Sequence, residues 1–222
     1  MGISIEVWGK NACFTRPEFK TERVSYDVIT PSAAVGILRA IYWHPGVSFV
    51  IDRIRVLSPI KFENIRRNEV RSKAKVSSFK AAMESGNPSA AVLVTEGIMR
   101  QQRSTMMLKD VRYVIDAHYD IDKAQDTKEL RDKVTAILGN RLKRGQCFEQ
   151  PCLGLRECVA NVKIAEGEYE CPEELKGRRD LGFMLHSFDY SNPSDPVPRF
   201  FRAVMEDGVI KVPAENSEEV KG

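Results

Sequence analysis

Hydrophobic and polar residues alternate in several short segments of the chain, and this period of two is typical of half-buried β-strands. The alternation predicts five strands, over residues 3–9, 47–57, 111–121, 157–164 and 181–190. Near the C-terminus, the pair Asp207-Gly208 separates two further apolar runs and predicts a β-hairpin with a tight turn. Residues 60–103 lack a clean period and are interpreted as a long insertion between two strands.

A helical period is present in two segments. The first begins at Thr30, a residue type that caps helix N-termini, continues with Pro31 in the first helical position, and ends before Pro45-Gly46. The second covers residues 127–143. In both segments the apolar residues repeat every three or four positions, so each helix is expected to bury one side.

The predicted order is strand, helix, strand, strand, helix, strand, which is the order of the ferredoxin-like fold. We therefore predict an α+β protein with a ferredoxin-like (RRM-like) domain over residues 1–164 that carries the basic insertion. A small antiparallel β-rich part is expected over residues 165–222. The RRM binds RNA, but one fold hosts many functions, so the fold alone does not assign one.

The composition is that of a globular protein, with 42% hydrophobic and 29% charged residues. No apolar run is long enough to span a membrane and no signal-peptide pattern is present, so we predict a cytoplasmic protein without membrane contact. The five cysteines are expected to be reduced thiols. A zinc site at Cys147, Cys152 and Cys158 is disfavoured because their spacings are too wide and no histidine lies nearby, so no metal or other cofactor is predicted.

The formal net charge of +3 conceals an uneven distribution. Residues 53–80 contain nine basic residues and two acidic ones, whereas the C-terminal end is acidic. A surface charged in this way attracts a polyanion such as a nucleic acid. A basic loop that is only solvated is the alternative, and the charge pattern alone does not decide between the two.

Five segments, spread in order over nearly the whole chain, resemble the Cas-five proteins of type I-C CRISPR systems. One contains the sequence SAAVGILRAIYWHP, and another is GQCFEQPCLGLRE. The five segments cover residues 8–45, 51–70, 145–157, 178–190 and 203–210. Such long matches do not follow from a shared fold alone, so the chain is identified as a member of this family.

The resemblance implies an RRM-like N-terminal domain followed by a β-rich C-terminal part. It implies a metal-independent endoribonuclease that cuts CRISPR precursor RNA within its repeats, through attack by the substrate's own 2′-hydroxyl, leaving a 2′,3′-cyclic phosphate. It also implies that the protein stays on the 5′ handle of the guide RNA as a subunit of a Cascade-type surveillance complex. The implied partners are the repeat RNA, the Cas-seven backbone subunits, the large Cas-eight subunit and, through the complex, target DNA.

Basic residues of the insertion are the expected RNA contacts, because cations neutralise phosphates without reading the base sequence. Contacts of this kind make RNA affinity strongly dependent on salt. One predicted strip consists of Arg66, Arg67, Arg71, Lys73 and Lys75, and a second contains Arg100 and Arg103.

The cleaving members of the family carry a tyrosine at the end of the first helix and a Lys-His pair in the second. The tyrosine matches Tyr42, and a count without gaps places the lysine at Lys133 and Val134 where the family has histidine. A tyrosine, with a reference pKa of about 10, is a poor base unless a neighbouring cation lowers its pKa, and Lys133 is a candidate for that cation. A replacement imidazole could come from His44 or His118.

Two functions therefore stay open. In the first, the protein is an active processing endoribonuclease, either because Tyr42 and Lys133 suffice for catalysis or because the count without gaps misplaces the histidine. In the second, it is a non-catalytic or very slow subunit that caps the 5′ handle, and Val134 is the reason. The basic insertion serves both functions equally, and the first is preferred because the rest of the family pattern is intact.

Overall fold

The structure, a computed structural model, describes residues 2–19, 21–71, 75–86 and 100–222. Within these residues lie nine β-strands and three α-helices. The strands are β1 (Gly2–Ala12), β2 (Arg23–Val24), β3 (Val47–Val56), β4 (Phe62–Val70), β5 (Arg100–Ile121), β6 (Asn161–Ile164), β7 (Arg178–Asp189), β8 (Val197–Glu206) and β9 (Val209–Lys211). The helices are α1 (Pro31–Ile41), α2 (Val76–Ser85) and α3 (Lys128–Arg144), and a short 3-10 helix covers Glu173–Leu175.

All nine strands belong to one sheet. Seven of them follow the order β6-β1-β5-β3-β9-β8-β7, while β2 and β4 both pair with β5. Among the described strands, only β2 runs parallel to its partner, and every other pair is antiparallel. The protein is therefore a mixed α and β protein dominated by an antiparallel sheet, which confirms the prediction at this level.

Both predicted helices form, the first after the cap predicted at Thr30 and the second after Thr127. The Thr30 side chain accepts a hydrogen bond from the Ala33 N–H at 3.2 Å, and the Thr127 side chain accepts one from the Leu130 N–H at 3.2 Å. Each helix then buries one apolar side, α1 against β3 and β7 and α3 against β6. The buried residues are Pro31, Ala34, Ile37, Leu38 and Ile41 in α1, and Val134, Leu138 and Leu142 in α3.

Residues 60–103 were interpreted as a long insertion between two strands, and their described part contains regular elements that the sequence did not predict. Strand β4 forms there, and β5 begins at Arg100 instead of near residue 111. The two strands pair from Phe62 opposite Leu108 to Val70 opposite Arg100. We call β4 together with residues 100–108 the basic ribbon. Along β4, apolar residues are few and do not alternate regularly with polar ones, so the strand lacks the hydrophobic pattern on which the prediction depended.

The hairpin predicted at Asp207-Gly208 is confirmed. Both residues have positive φ, 46° and 74°, as a two-residue turn of this kind requires. The turn joins β8 to β9, and β9 also pairs with β3, so the C-terminal strands extend the same sheet as the N-terminal ones. The division of the chain at residues 164 and 165 into two parts stays a prediction.

The three described α-helices contain 11, 10 and 17 residues. None of them is both long enough and apolar enough to cross a bilayer.

Candidate functional site

Tyr42 lies at the C-terminal end of α1, where its N–H donates to the Leu38 carbonyl at 3.0 Å. Only 4% of the residue is exposed. Burial raises the pKa of the Tyr42 hydroxyl, while the nearby charge of Arg141 acts to lower it and Tyr119 acts to raise it. Within the described part of the chain, no hydrogen bond to that hydroxyl contributes to its pKa. Tyr42 is thus a protonated phenol with a donor to offer, and not a phenolate base.

Arg141 is the cation beside Tyr42. Its guanidinium carbon lies 5.7 Å from the centroid of the Tyr42 ring, and its Nη1 donates to the Ile41 carbonyl at 2.6 Å. The loop after α3 holds the same helix end, because the N–H groups of Phe148 and Glu149 donate to the Ala40 carbonyl at 2.8 and 2.9 Å. The end of α1 is therefore fixed by the last turn of α3 and the loop that follows it.

Lys133 and Val134 are consecutive residues of α3, and the Lys133 side chain points to solvent while the Val134 side chain points into the core. Lys133 is exposed, and Val134 is fully buried in the core. The suggestion that Lys133 lowers the pKa of Tyr42 was wrong, because that pKa is raised and the cation over the ring is Arg141. Lys133 precedes Arg141 by eight residues, which corresponds to about 12 Å along a helix axis. Its catalytic role stays a prediction.

His44 is brought against Tyr42. The two rings are parallel, at an interplanar angle of 3°, with centroids 6.5 Å apart. His44 Nδ1 lies 2.6 Å from the Pro45 carbonyl oxygen, so Nδ1 must carry the hydrogen and donate it. In the neutral ring, Nε2 is then the acceptor, and a general base needs such a nitrogen.

His118 is placed elsewhere. It lies on β5 next to Tyr119, whose hydroxyl donates to the Arg131 carbonyl of α3 at 3.0 Å. Successive side chains of a strand point to opposite faces, so His118 faces away from the helices and from Tyr42. Its Nδ1 is 2.8 Å from an Asp52 carboxylate oxygen. Of the two histidines considered as a replacement imidazole, the structure therefore places His44 beside Tyr42 and His118 on the other face of the sheet.

Because successive side chains of a strand point to opposite faces, the cations of the two predicted strips lie on both faces of the basic ribbon. On one face of the basic ribbon, Arg103 and Arg23 contact the two carboxylate oxygens of Glu69 at 3.0 and 2.9 Å. Burial acts to raise the pKa of Glu69, but the hydrogen bonds and charges of Arg23 and Arg103 outweigh it, so this pKa lies below its usual value. Arg103 is therefore already paired within the protein, with a carboxylate that it shares with Arg23.

Arg67, on that same face, forms an ion pair with Glu157. Further cations of the basic region are paired on β3, where Arg53 and Arg55 contact Asp116 at 2.7 and 2.9 Å. Three of the nine cations counted in residues 53–80 therefore contact two carboxylates, Asp116 and Glu157, that lie far away along the chain. These partners come together only in the folded sheet.

The opposite face of the ribbon is exposed and keeps its charge. Arg66 and Arg100 lie there, and neither forms an ion pair with a carboxylate of the described residues. Arg71 and Lys75 are exposed beyond the end of β4, while Lys73 lies outside the described residues. Arg66 and Arg100 are the cations of this ribbon that remain free to contact a polyanion.

Sequence reasoning missed Arg141, although a signal was present. Arg141 follows Val134 by seven residues, which is two helical turns, so both lie on the inner side of α3. A basic residue two turns after the position of the family histidine is therefore expected to lie on the same side of the helix as that histidine. Its contact with the end of α1, however, depends on tertiary packing.

A family model described as CRISPR-associated protein (Cas_Cas5) matches residues 2–213 of the chain. A relative from Mannheimia succiniciproducens is 46% identical, with 99% of this chain and 98% of the relative covered. A relative from Thermus thermophilus is 35% identical, with 98% of this chain and 94% of the relative covered. Each of the two is named a CRISPR pre-crRNA endoribonuclease Cas5d.

Solved structures with the same fold include a functionally uncharacterised protein from Streptococcus mutans. It is 25% identical, with a TM-score of 0.65, and the match covers 100% of this chain and 97% of that one. A chain of a CRISPR RNA-guided surveillance complex is 13% identical, with a TM-score of 0.51 and coverage of 96% and 92%. At that identity the second likeness concerns the fold alone.

Proposed function

The chain belongs to the Cas5 family of CRISPR-associated proteins, in the branch of type I-C, and we propose on this basis that it cuts CRISPR precursor RNA within its repeats. The observation that carries the proposal is the full-length identity to two pre-crRNA endoribonucleases. The position of Tyr42 supports it, because the tyrosine of the family motif is present and, in the described part of the chain, no hydrogen bond to its hydroxyl contributes to its pKa.

The proposed reaction uses groups at the end of α1 and needs no metal ion. The 2′-oxygen attacks the adjacent phosphorus and forms the 2′,3′-cyclic phosphate, while the bond from phosphorus to the 5′-oxygen breaks. His44 Nε2 accepts the proton of the 2′-hydroxyl, and Tyr42 donates its phenolic proton to the departing 5′-oxygen. Solvent then carries the proton from His44 back to Tyr42. Lys133, which matches the family lysine, is a further candidate for contact with the phosphate.

The second candidate function is a non-catalytic subunit that caps the 5′ handle of the guide RNA. Val134 favours it, because a fully buried apolar residue stands where the family has histidine. In either case the protein would stay on the handle within a surveillance complex with Cas-seven and Cas-eight subunits and target DNA. The fold shared with a chain of such a complex is compatible with that assembly.

We further propose that residues 1–164 form a ferredoxin-like domain and residues 165–222 a β-rich part. Strands β6-β1-β5-β3 support the first assignment, because they are adjacent in this order and antiparallel, with α1 and α3 as crossover connections. Strands β7, β8 and β9 support the second.

Cleavage of an end-labelled repeat RNA in excess EDTA tests the proposed function. We expect a 2′,3′-cyclic phosphate end, and no product when the nucleotide before the cut carries a 2′-deoxy sugar. The deoxy substrate should still bind, because it keeps every phosphate. Tight binding of both RNAs with no cleavage of either would reject the nuclease and leave the capping subunit.

The basic ribbon gives a separate prediction about binding. Replacing Arg66 and Arg100 together with alanine should reduce the slope of log affinity against log salt by about 1.4, because each contact to single-stranded RNA contributes about 0.7. Arg202→Ala is the matched control, since Arg202 is exposed on β8 and pairs with Asp180 at 2.5 Å. An unchanged slope in the double variant, measured with uncleavable RNA, would show that the exposed face does not hold phosphates.

A further inference from the structure

A cleft opens beside the end of α1, at the edge of the sheet formed by β6. Its volume is about 260 Å³. The last turn of α3, the loop after it and β6 form its walls. Polar groups on its wall belong to Arg141, Gln146, Gln150 and Asn161, and the described residues that line it include no carboxylate. The cleft is thus positively charged and has room for a small part of a larger ligand.

The charge of Arg141 is not neutralised within the described residues. Arg131, two to three turns earlier on α3, pairs with Asp126 at 2.6 Å, but no carboxylate lies within ion-pair distance of Arg141. One of its nitrogens donates to the Ile41 carbonyl. A guanidinium has five N–H donors, so most of them stay available on the wall of the cleft. An unpaired, partly buried guanidinium is a ready site for an oxyanion.

The position of this cation matches a need of the proposed reaction. Attack by the 2′-oxygen places extra negative charge on the non-bridging oxygens of the phosphate, and a fixed donor near them lowers the barrier. The proposed proton donor, Tyr42, has its ring 5.7 Å from the Arg141 guanidinium. Tyr42 follows Ile41, a residue of the cleft wall, so a phosphate bound by Arg141 would lie near the proposed proton donor.

We propose that Arg141 binds the scissile phosphate of the RNA in this cleft and supplies the cation of the active site. This inference rests on the proposed function. Arg141 contacts the non-bridging oxygens and orients the phosphorus for attack by the 2′-oxygen, and it neither gains nor loses a proton. Its bond to the Ile41 carbonyl holds the guanidinium in place while the other donors contact the RNA.

The test compares single-turnover cleavage and RNA binding in Arg141→Ala, Arg141→Lys and wild type. We expect Arg141→Ala to cut about 100-fold more slowly, or worse, which is the usual cost of losing one oxyanion donor. Affinity for the 2′-deoxy RNA should fall by less than tenfold, and Arg141→Lys should recover part of the rate because it keeps the charge. Arg144→Ala is the matched control, because Arg144 is exposed in the same helical turn.

A sulfur substitution separates catalysis from a structural role. Wild type should cleave the two phosphorothioate stereoisomers of the scissile phosphate at different rates, and Arg141→Ala should lose much of that difference. Loss of the Ile41 contact alone would lower Tm without changing the ratio. If Arg141→Ala does not fold, the partial rate and the stereoisomer ratio of Arg141→Lys decide.

The outcomes distinguish this inference from the proposed function. If wild type and Arg141→Ala cut at equal rates, the inference is wrong and the nuclease stands. If wild type binds RNA but never cuts, the nuclease is wrong, and the phosphate contact is tested by binding alone. In that case Arg141→Ala should reduce the salt slope by about 0.7, and an unchanged slope would overturn the inference.

Discussion

Substitution of Gly154 by alanine should lower the free energy of unfolding by about 3 kcal/mol or more, from left-handed backbone strain together with overpacking. Gly154 has φ +85°, and a Cβ atom there would lie 2.0 Å from the Cys13 carbonyl oxygen and 2.6 Å from its carbon. The obstacle is backbone, so no side chain can rotate away. The Cys13 N–H also donates to the Leu153 carbonyl at 3.0 Å, which keeps the two segments together.

Denaturant unfolding measures this effect, and Gly36→Ala is its control. Gly36 is exposed on α1, and a Cβ there would meet no atom within 4 Å. Alanine at that position should stabilise the protein by about 0.5–1 kcal/mol, because glycine is a poor helix former. A Gly154→Ala variant within 1 kcal/mol of wild type, on this order-of-magnitude scale, would mean that the loop can shift and that the close approach is not required.

The Gly154 contact also bears on function. The loop over residues 145–154 supplies part of the cleft wall and holds the Ala40 carbonyl at the end of α1. If the loop moves, the end of α1 loses the contacts to the Ala40 carbonyl and, within the described residues, is held by Arg141 alone, so Tyr42 is less firmly positioned. We therefore expect any Gly154→Ala protein that still folds to cut RNA more slowly than wild type, while Gly36→Ala cuts at the wild-type rate.

Regular elements were predictable where local chemistry and hydrophobic period agree. Thr30 and Thr127 cap the two predicted helices, and Asp207-Gly208 forms the predicted turn, because each signal lies within a few residues of its effect. Strand β4 was missed because Ile65 shares the inner face with three charged residues, while Phe62 and Val70 share the outer face with three polar ones. Ion pairs hold the inner face and the outer face is exposed, so neither face shows the hydrophobic alternation that predicts a strand.

The candidate site was only partly predictable for the same reason. Tyr42 followed from a family motif at a helix end, and a local contact with the Pro45 carbonyl fixes the hydrogen of His44. Arg141 contacts the end of α1 from 100 residues away in the sequence. Arg66 and Arg67 are adjacent in the chain, yet one is free and the other is paired with Glu157, and only the strand assignment separates them.

Tyr42→Phe is expected to slow cleavage by about 100-fold or more, with RNA affinity unchanged, because it removes a general acid and little else. The two side chains differ by one hydroxyl, and in the described residues no hydrogen bond to that hydroxyl contributes to its pKa, so we expect its loss to leave the core undisturbed. Burial raises the pKa of this phenol, so it stays protonated near neutral pH and can donate to the departing 5′-oxygen. Tyr190→Phe is the control, since Tyr190 is 61% exposed after β7.

A substrate with sulfur in place of the bridging 5′-oxygen identifies the step that Tyr42 assists. A 5′-thiolate leaves without a proton donor, so Tyr42→Phe should cut this RNA within about tenfold of the wild-type rate. Lys133→Ala, tested in parallel, should show no such rescue, because an ammonium at that position would act on the phosphate charge and not on the leaving group. If Tyr42→Phe cuts the unmodified oxygen substrate at the wild-type rate, Tyr42 has no catalytic role and only packs in the core. Loss of rate on both substrates would instead assign Tyr42 to the phosphate, beside Arg141, and leave solvent to protonate the 5′-oxygen.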